Sequence, residues 1–183
     1  MAYRNDITAD FLRTIVDYDP ASGIFTWKER PIRTGFERMD RVWNSREAGK
    51  RAGGISKNGS RAISVFNIRY AEHRLAYLWM TGNWPAQEID HINGNPSDNR
   101  WANLRPATHS ENSQNTKLRS DNTSGYRGVS KCSRSNKWYA YINIDGKMQP
   151  IGRFDSKSDA YDAYLRRRSE LHTFQPIPRD FMG

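Results

Sequence analysis

Between Asp90 and Asn112 the chain gathers one imidazole, an adjacent carboxylate and a crowd of carboxamides: Asp90, His91, Asn93, Asn95, Asn99, Asn103 and Asn112, with His109 close to the end. An imidazole titrates near neutrality, at a pKa of about 6.5 when unperturbed, so His91 is able to take a proton from water. Carboxylate and carboxamide oxygens are hard donors that suit Mg2+ or Mn2+ better than zinc, which favours His and Cys. A base and a hard cation held on one frame are what hydrolysis of a phosphodiester requires. Asp90 and His91 are neighbours in a strand-like segment, so their side chains leave on opposite sides, and one is free to hold metal while the other deprotonates water. Asn112 is placed to supply a second oxygen ligand, with His109 as the second choice.

The elements that must position these groups are legible around them. Glu88 to Ile92 reads as a short strand, followed by a polar loop and a second strand from Leu104 to Ala107. Thr108 with Glu111 three residues later forms a capping box, so a helix begins there, carries Asn112 and runs toward Leu118. Upstream, Thr8 caps a helix with Phe11, Leu12, Ile15 and Val16 on one face, stopped by Asp19-Pro20. Ile24 to Trp27 reads as a strand, residues 28–54 as a loop-rich basic stretch, Ala62 to Tyr70 as a strand of uncertain register, and Ala71 to Thr81 as a helix ended by Gly82. Asp98 and Asn99 read as loop-shaping residues, because such side chains bond their own backbone in turns. His73 reads as a packing or supporting residue and Arg74 as a contact to backbone phosphate. Arg105 is placed either to touch the scissile phosphate or simply to decorate the strand.

The string DHINGNPSDNRWANLRPATHSEN, from Asp90 to Asn112, resembles the HNH endonuclease motif in its His-Asn-Asn variant. The resemblance extends upstream through AEHRLAYLWMTGNWP and YDPASGIFTWK, which look like the amino-terminal part of phage-borne members. It implies a ββα-metal (His-Me finger) core in an α+β chain, cutting duplex DNA with Mg2+ or Mn2+. It further implies His91 as general base, Asn103 fixing the His91 ring and the loop, and Asp90 with Asn112 holding the metal.

A second unit is expected after a polar linker at residues 119–124. Trp138, Ala140, Ile142 and Ile144 alternate with Tyr139, Tyr141, Asn143 and Asp145, the period of a strand with one buried face, and Asp145-Gly146 is a hairpin turn. Tyr126 to Lys131 and Lys147 to Phe154 complete a three-stranded antiparallel sheet, and Ser156 caps a helix whose Ala160, Ala163, Tyr164 and Leu171 cover it. SGYRGVSKCSRSNKWYAYINIDGKMQPIGRFDSKSDAYDAY, from Ser124, is similar to the apetala and ethylene-response-factor type of DNA-binding domain. By that similarity Arg127, Arg134, Tyr141 and Asn143 fall on DNA-contact positions, Tyr139 shares their face, and Lys131 lies near enough to anchor a phosphate. Ser130 and Cys132 stand where the family has basic residues and Pro150 where it has an aromatic. The expected division is therefore a nuclease domain over 1–118 with its motif at 88–118, and a DNA-binding domain with a tail over 125–183.

Composition agrees with a polyanion as partner: 29 Lys plus Arg oppose 20 Asp plus Glu, a net charge of +9. No apolar run approaches the roughly 18 residues needed to span a bilayer. The single Cys132 forms no internal disulfide, and a reducing bacterial cytoplasm, with a phage or prophage as the source, is the expected setting. One site per chain suits nicking by a monomer, whereas a homodimer would cut both strands. The competing expectations are a non-cleaving DNA-binding regulator or packaging accessory that retains the fold, and a ribonuclease; homing, restriction and packaging roles would share the site.

Overall fold

The computed structural model describes residues 5–114, 118 and 121–172. The expected continuation of the motif helix through 115–117, the start of the expected linker at 119–120 and the tail beyond His172 lie outside the described residues. The chain is a mixed α+β structure with four small antiparallel sheets, and it divides into two compact units, Met1–Pro106 and Ala107–Gly183.

In the first unit, helix α1 (Ala9–Ile15) starts where Thr8 accepts a hydrogen bond from the Phe11 amide. It ends at Ile15 rather than at Asp19-Pro20, because Val16–Asp19 forms strand β1 and pairs with β2 (Ile24–Trp27). The basic stretch expected to be a loop contains helix α2 (Glu37–Glu47). Two interactions invisible to periodicity hold it. Asp40, 1% exposed, accepts from the Arg33 amide and guanidinium, which holds its carboxyl below the usual range, and Trp43 meets Trp27 edge-on while Arg30 lies 3.6 Å over the Trp43 ring.

A short strand β3 (Gly54–Ile55) joins β4 (Arg61–Val65) and β5 (Ile68–Ala71) in a meander. The slip in apolar pattern near residue 66 is thus a turn and not a register fault: Phe66 and Asn67 take φ of 49° and 62°, a left-handed pair that reverses the chain. Helix α3 (Glu72–Thr81) comes next and is closed by Gly82 at φ 79°. Leu12, Phe25, Ile63, Leu75 and Leu78 are fully buried together, and Ile89 of β6 (Glu88–His91) and Leu104 of β7 (Leu104–Ala107) join them. That last contact ties the hairpin carrying Asp90 and His91 to the main core.

The first helix of the second unit is α4 (His109–Gln114). Its capping box is formed: Thr108 Oγ1 accepts from the Glu111 amide, and Glu111 Oε2 accepts from the Thr108 amide at 2.7 Å. Strands β8 (Val129–Lys131), β9 (Trp138–Ile144) and β10 (Lys147–Phe154) form a sheet with β9 central, and α5 (Lys157–Leu171) starts where Ser156 accepts from the Asp159 amide. Ala140, Ile142 and Val129 pack on Ala160, Tyr161 and Tyr164. Gly128, at φ 69°, sits so close to this helix that an added Cβ would lie 2.3 Å from the Tyr164 ring. Gly128→Ala is therefore expected to cost more than about 1 kcal/mol, through strain and overlap together, read as a lower urea midpoint with an unchanged slope.

Candidate active site

Strand β6 delivers Asp90 and His91 in succession, 5% and 8% exposed, and the chain turns at once, with the Gly94 amide donating to the His91 carbonyl at 2.7 Å. The loop after it is held by its own carboxamides, as its composition leads one to expect. Asn103 Oδ1 accepts from the Asn93 amide at 2.9 Å, while Asn103 Nδ2 donates to Asn93 Oδ1 and to the Asp98 carbonyl. Asp98 also takes the Arg100 guanidinium, which with its other hydrogen bonds holds its carboxyl at about 2.

Asn103 thus secures the loop, but the partner the structure gives the His91 ring is Asn99, whose Oδ1 lies 3.0 Å from His91 Nε2. Asn99 is 1% exposed, and its Nδ2 donates to Glu72 Oε2 at 3.0 Å. Glu72, at the start of α3, is fully buried; both of its oxygens lie 3.1 Å from Arg61 Nε on β4. Burial pushes the Glu72 carboxyl up, and Arg61, Arg51 and Asn99 act against that shift. Sequence reasoning assigned Asn99 to loop shaping alone and singled out neither Glu72 nor Arg61. The only available signals were an acidic residue opening a helix and an arginine opening a strand, neither of them distinctive.

Burial also lowers the His91 pKa, opposed by Asn99, Asp90 and Asp98, so the ring is neutral at physiological pH. His73 meets it edge-on, centroids 5.1 Å apart, and burial holds His73 at about 3, so no second positive charge develops beside the His91 ring. His73 therefore packs, as expected. Asp90 Oδ2 accepts from Arg105 Nε at 3.0 Å and from its terminal nitrogen at 2.9 Å. The two alternatives left open for Arg105 are thus joined by a third, pairing with the neighbouring carboxylate.

Arg74 corrects the expectation of a phosphate contact. It is 4% exposed, and its guanidinium donates to the carbonyls of Gln87 and Pro85 and to Asn5 Oδ1. It fastens the segment leading into β6 instead of meeting solvent.

Residues 70–114 match the HNH endonuclease family. Protein 3.8 of Escherichia phage T7 is 35% identical to the chain over 105 residues, 56% of this chain and 86% of the phage protein. The chain belongs to the family of that phage protein and carries an HNH endonuclease domain. No solved structure is significantly similar to it. Asp90, His91, Asn99, Asn103 and Arg105 all lie inside the HNH segment, as do Glu72 and Arg74; Arg61 lies outside it. Asn112 and His109, the two candidates for a further metal donor, lie on α4 in the second unit. Among the described residues no three His, Cys, Asp or Glu side chains gather as a metal cage, and none of the helices is long and apolar enough to cross a membrane.

On the second unit's sheet, Tyr139, Tyr141 and Asn143 occupy the face opposite buried Ala140 and Ile142, with the Tyr139 and Tyr141 rings stacked at 6.1 Å. Lys131 and Arg134 are exposed. Arg127 donates to the Gln114 carbonyl of α4 at 3.3 Å, and Arg127, Tyr141 and Asn143 line a cavity of about 1080 Å³ with His109 and Ser113. Of the residues assigned to DNA contact, Arg127 and Tyr141 are therefore half-buried, while Asn143 is exposed.

The burial of Arg74 yields a discriminating test. Arg74→Met is expected to lower unfolding free energy by at least about 2 kcal/mol, by stranding buried carbonyls, while leaving the salt dependence of DNA binding unchanged; a phosphate contact would instead reduce that slope by about one.

Proposed function

We propose that the chain is a metal-dependent endonuclease hydrolysing phosphodiester bonds of duplex DNA, with His91 as general base. The observation that carries this reading is the pairing on one strand end of a neutral, buried, hydrogen-bonded imidazole with a buried carboxylate, inside the segment that matches the HNH family. His91 takes a proton from water as the oxygen attacks phosphorus and the bond to the departing sugar oxygen breaks.

Hard oxygen donors fit a magnesium or manganese ion, and Asp90 of the first unit is assigned as its ligand. Such an ion, when bound, neutralises charge on the phosphate and the departing oxygen. Arg105, whose guanidinium pairs with Asp90, is assigned to the phosphate being cut. Lys131 and Arg134, with Tyr139, Tyr141, Asn143 and Arg127, are assigned to DNA holding by the ethylene-response-factor-like second unit. A phage or prophage origin and a homing-type role belong to the same reading.

Supercoiled plasmid incubated with the protein and Mg2+ or Mn2+ is expected to be nicked, and EDTA to stop it. His91→Ala is expected to lower the single-turnover rate by about 10²- to 10⁴-fold, the usual worth of a positioned base, with DNA affinity retained. Absence of nicking in the wild type, with DNA binding intact, would favour the non-cleaving regulator; preferential digestion of RNA would favour the ribonuclease.

The pH dependence has a definite sign. The base works only when neutral and its pKa is lowered by burial, so activity is lost as pH falls through a midpoint below the ordinary imidazole value of about 6.5. A rate profile whose acid limb lies above that value would contradict the assignment.

A further inference from the structure

The Asn99 carboxamide links the His91 ring to the buried Glu72 carboxylate, and its orientation has a chemical consequence. An ionised carboxylate accepts hydrogen bonds and donates none, so the Asn99 group facing Glu72 is its NH2, and its oxygen is thereby turned toward His91. An oxygen 3.0 Å from Nε2 requires a hydrogen on that nitrogen. In a neutral ring the other nitrogen, Nδ1, then carries the lone pair.

We propose that Glu72, clasped by Arg61, is a positioning residue that fixes the tautomer of His91 through Asn99, so that Nε2 bears the proton and Nδ1 is the basic atom. The proposal rests on the reading of His91 as the base and names the atom that acts. When water is deprotonated, its O–H bond breaks, the proton moves to Nδ1, and the ring becomes an imidazolium. Its Nε2–H still donates to Asn99, in a bond strengthened by the new positive charge.

Glu72 and Asn99 lie within the segment that matches the HNH family, but residues that hold them in place come from earlier in the chain, outside it. Arg61 comes from β4. Gly53 has φ 78° and faces Glu72 so closely that a Cβ there would lie 2.6 Å from Oε1, so only glycine leaves room for the ion pair. The Asn99 main chain is clamped independently: Tyr18 of β1 donates its hydroxyl to the Asn99 carbonyl at 2.7 Å, and burial raises the pKa of that phenol, keeping it a donor. Gly23, at φ 71° in the β1–β2 turn, approaches Asn99 so closely that an added Cβ would lie 2.3 Å from its carbonyl carbon. The Trp101 amide donates to the Pro20 carbonyl at 3.0 Å. With both ends of its main chain pinned and its NH2 on Glu72, Asn99 has one way to face the histidine.

The test is a two-bond ¹H–¹⁵N correlation spectrum of the full chain labelled at its four histidines, at pH 7.5, with the His91 signals assigned by His91→Gln. The wild-type ring is expected as the Nε2–H tautomer; a ring protonated at Nδ1 overturns the proposal whether or not DNA is cut, and so separates its failure from that of the nuclease reading. Glu72→Gln offers Asn99 either a donor or an acceptor and is expected to give a mixture of tautomers. In that variant kcat should fall by about 10- to 100-fold with KM unchanged, the range typical of losing an orienting hydrogen bond behind a working group. A Glu72→Gln protein that keeps a pure Nε2–H ring and wild-type kcat overturns the role of Glu72. Should Glu72→Gln fail to fold, Asn99→Ala, which cuts the link to His91 while sparing the Glu72–Arg61 ion pair, takes its place with the same two readouts and the same overturning result.

Discussion

A carboxylate taken wholly out of water must find charge and hydrogen bonds inside the fold, and Glu72 is such a group. Its needs are met by Arg61 from one side and by Asn99 from the other. That pairing dictates much of the first unit's geometry. Strand β4 must run alongside the start of α3, the chain at residue 53 must be glycine to leave room, and the loop after β6 must fold back far enough to bring Asn99 inside. An apolar residue of similar size at position 72 would pack with less penalty, as buried ion pairs rarely gain much stability over hydrophobic replacements. What the charge supplies is direction: hydrocarbon packs against an amide in either orientation, whereas a carboxylate accepts only its NH2 end.

Two acidic residues close together in this unit thus have opposite situations. Glu72 is enclosed and fully occupied by donors, so it acts through other residues. Asp90 stands next to His91 in the chain, with one oxygen on an arginine that is itself partly exposed. The fold keeps these tasks apart by placing the carboxylates on different elements, α3 and β6, with the His91 ring and Asn99 between. His73, held neutral beside His91, completes the separation, because a second imidazolium there would oppose protonation of the base.

The sequence carried much of this architecture in plain form. Caps at Thr8, Thr108 and Ser156 marked helix starts because a side-chain oxygen must satisfy free amides there, and the alternation from Trp138 to Ile144 marked a half-buried strand. Where local pattern and tertiary contact diverged, the pattern misled. Helix α2 has no clean apolar stripe and leaves Phe36, Met39 and Val42 exposed; its anchors are a buried aspartate and an arginine stacked on tryptophan. Arg74 looked like a surface cation because arginine is seldom buried, and only the three-dimensional path of residues 85–87 supplies the carbonyls that make its burial tolerable.

For the candidate site the limit was sharper. The placement of Asp90, His91 and Asn103 was legible because it is local: a strand places the first two, and an asparagine bonding a nearby loop amide is a short-range habit of that residue. Asn99 belongs to the same asparagine-rich loop and has the same local propensity, so its type alone gives no hint that its side chain points inward. What distinguishes it lies 27 residues back at Glu72 and 81 residues back at Tyr18, contacts that no window on the sequence contains. The place of the histidine therefore reads from its own neighbourhood, whereas the hydrogen bond its ring makes leads through Asn99 to a charge buried far away along the chain. Residues 70–114 alone hold the histidine, Glu72 and Asn99 but not Arg61, Gly53 and Tyr18, whose contacts fix how those two side chains meet.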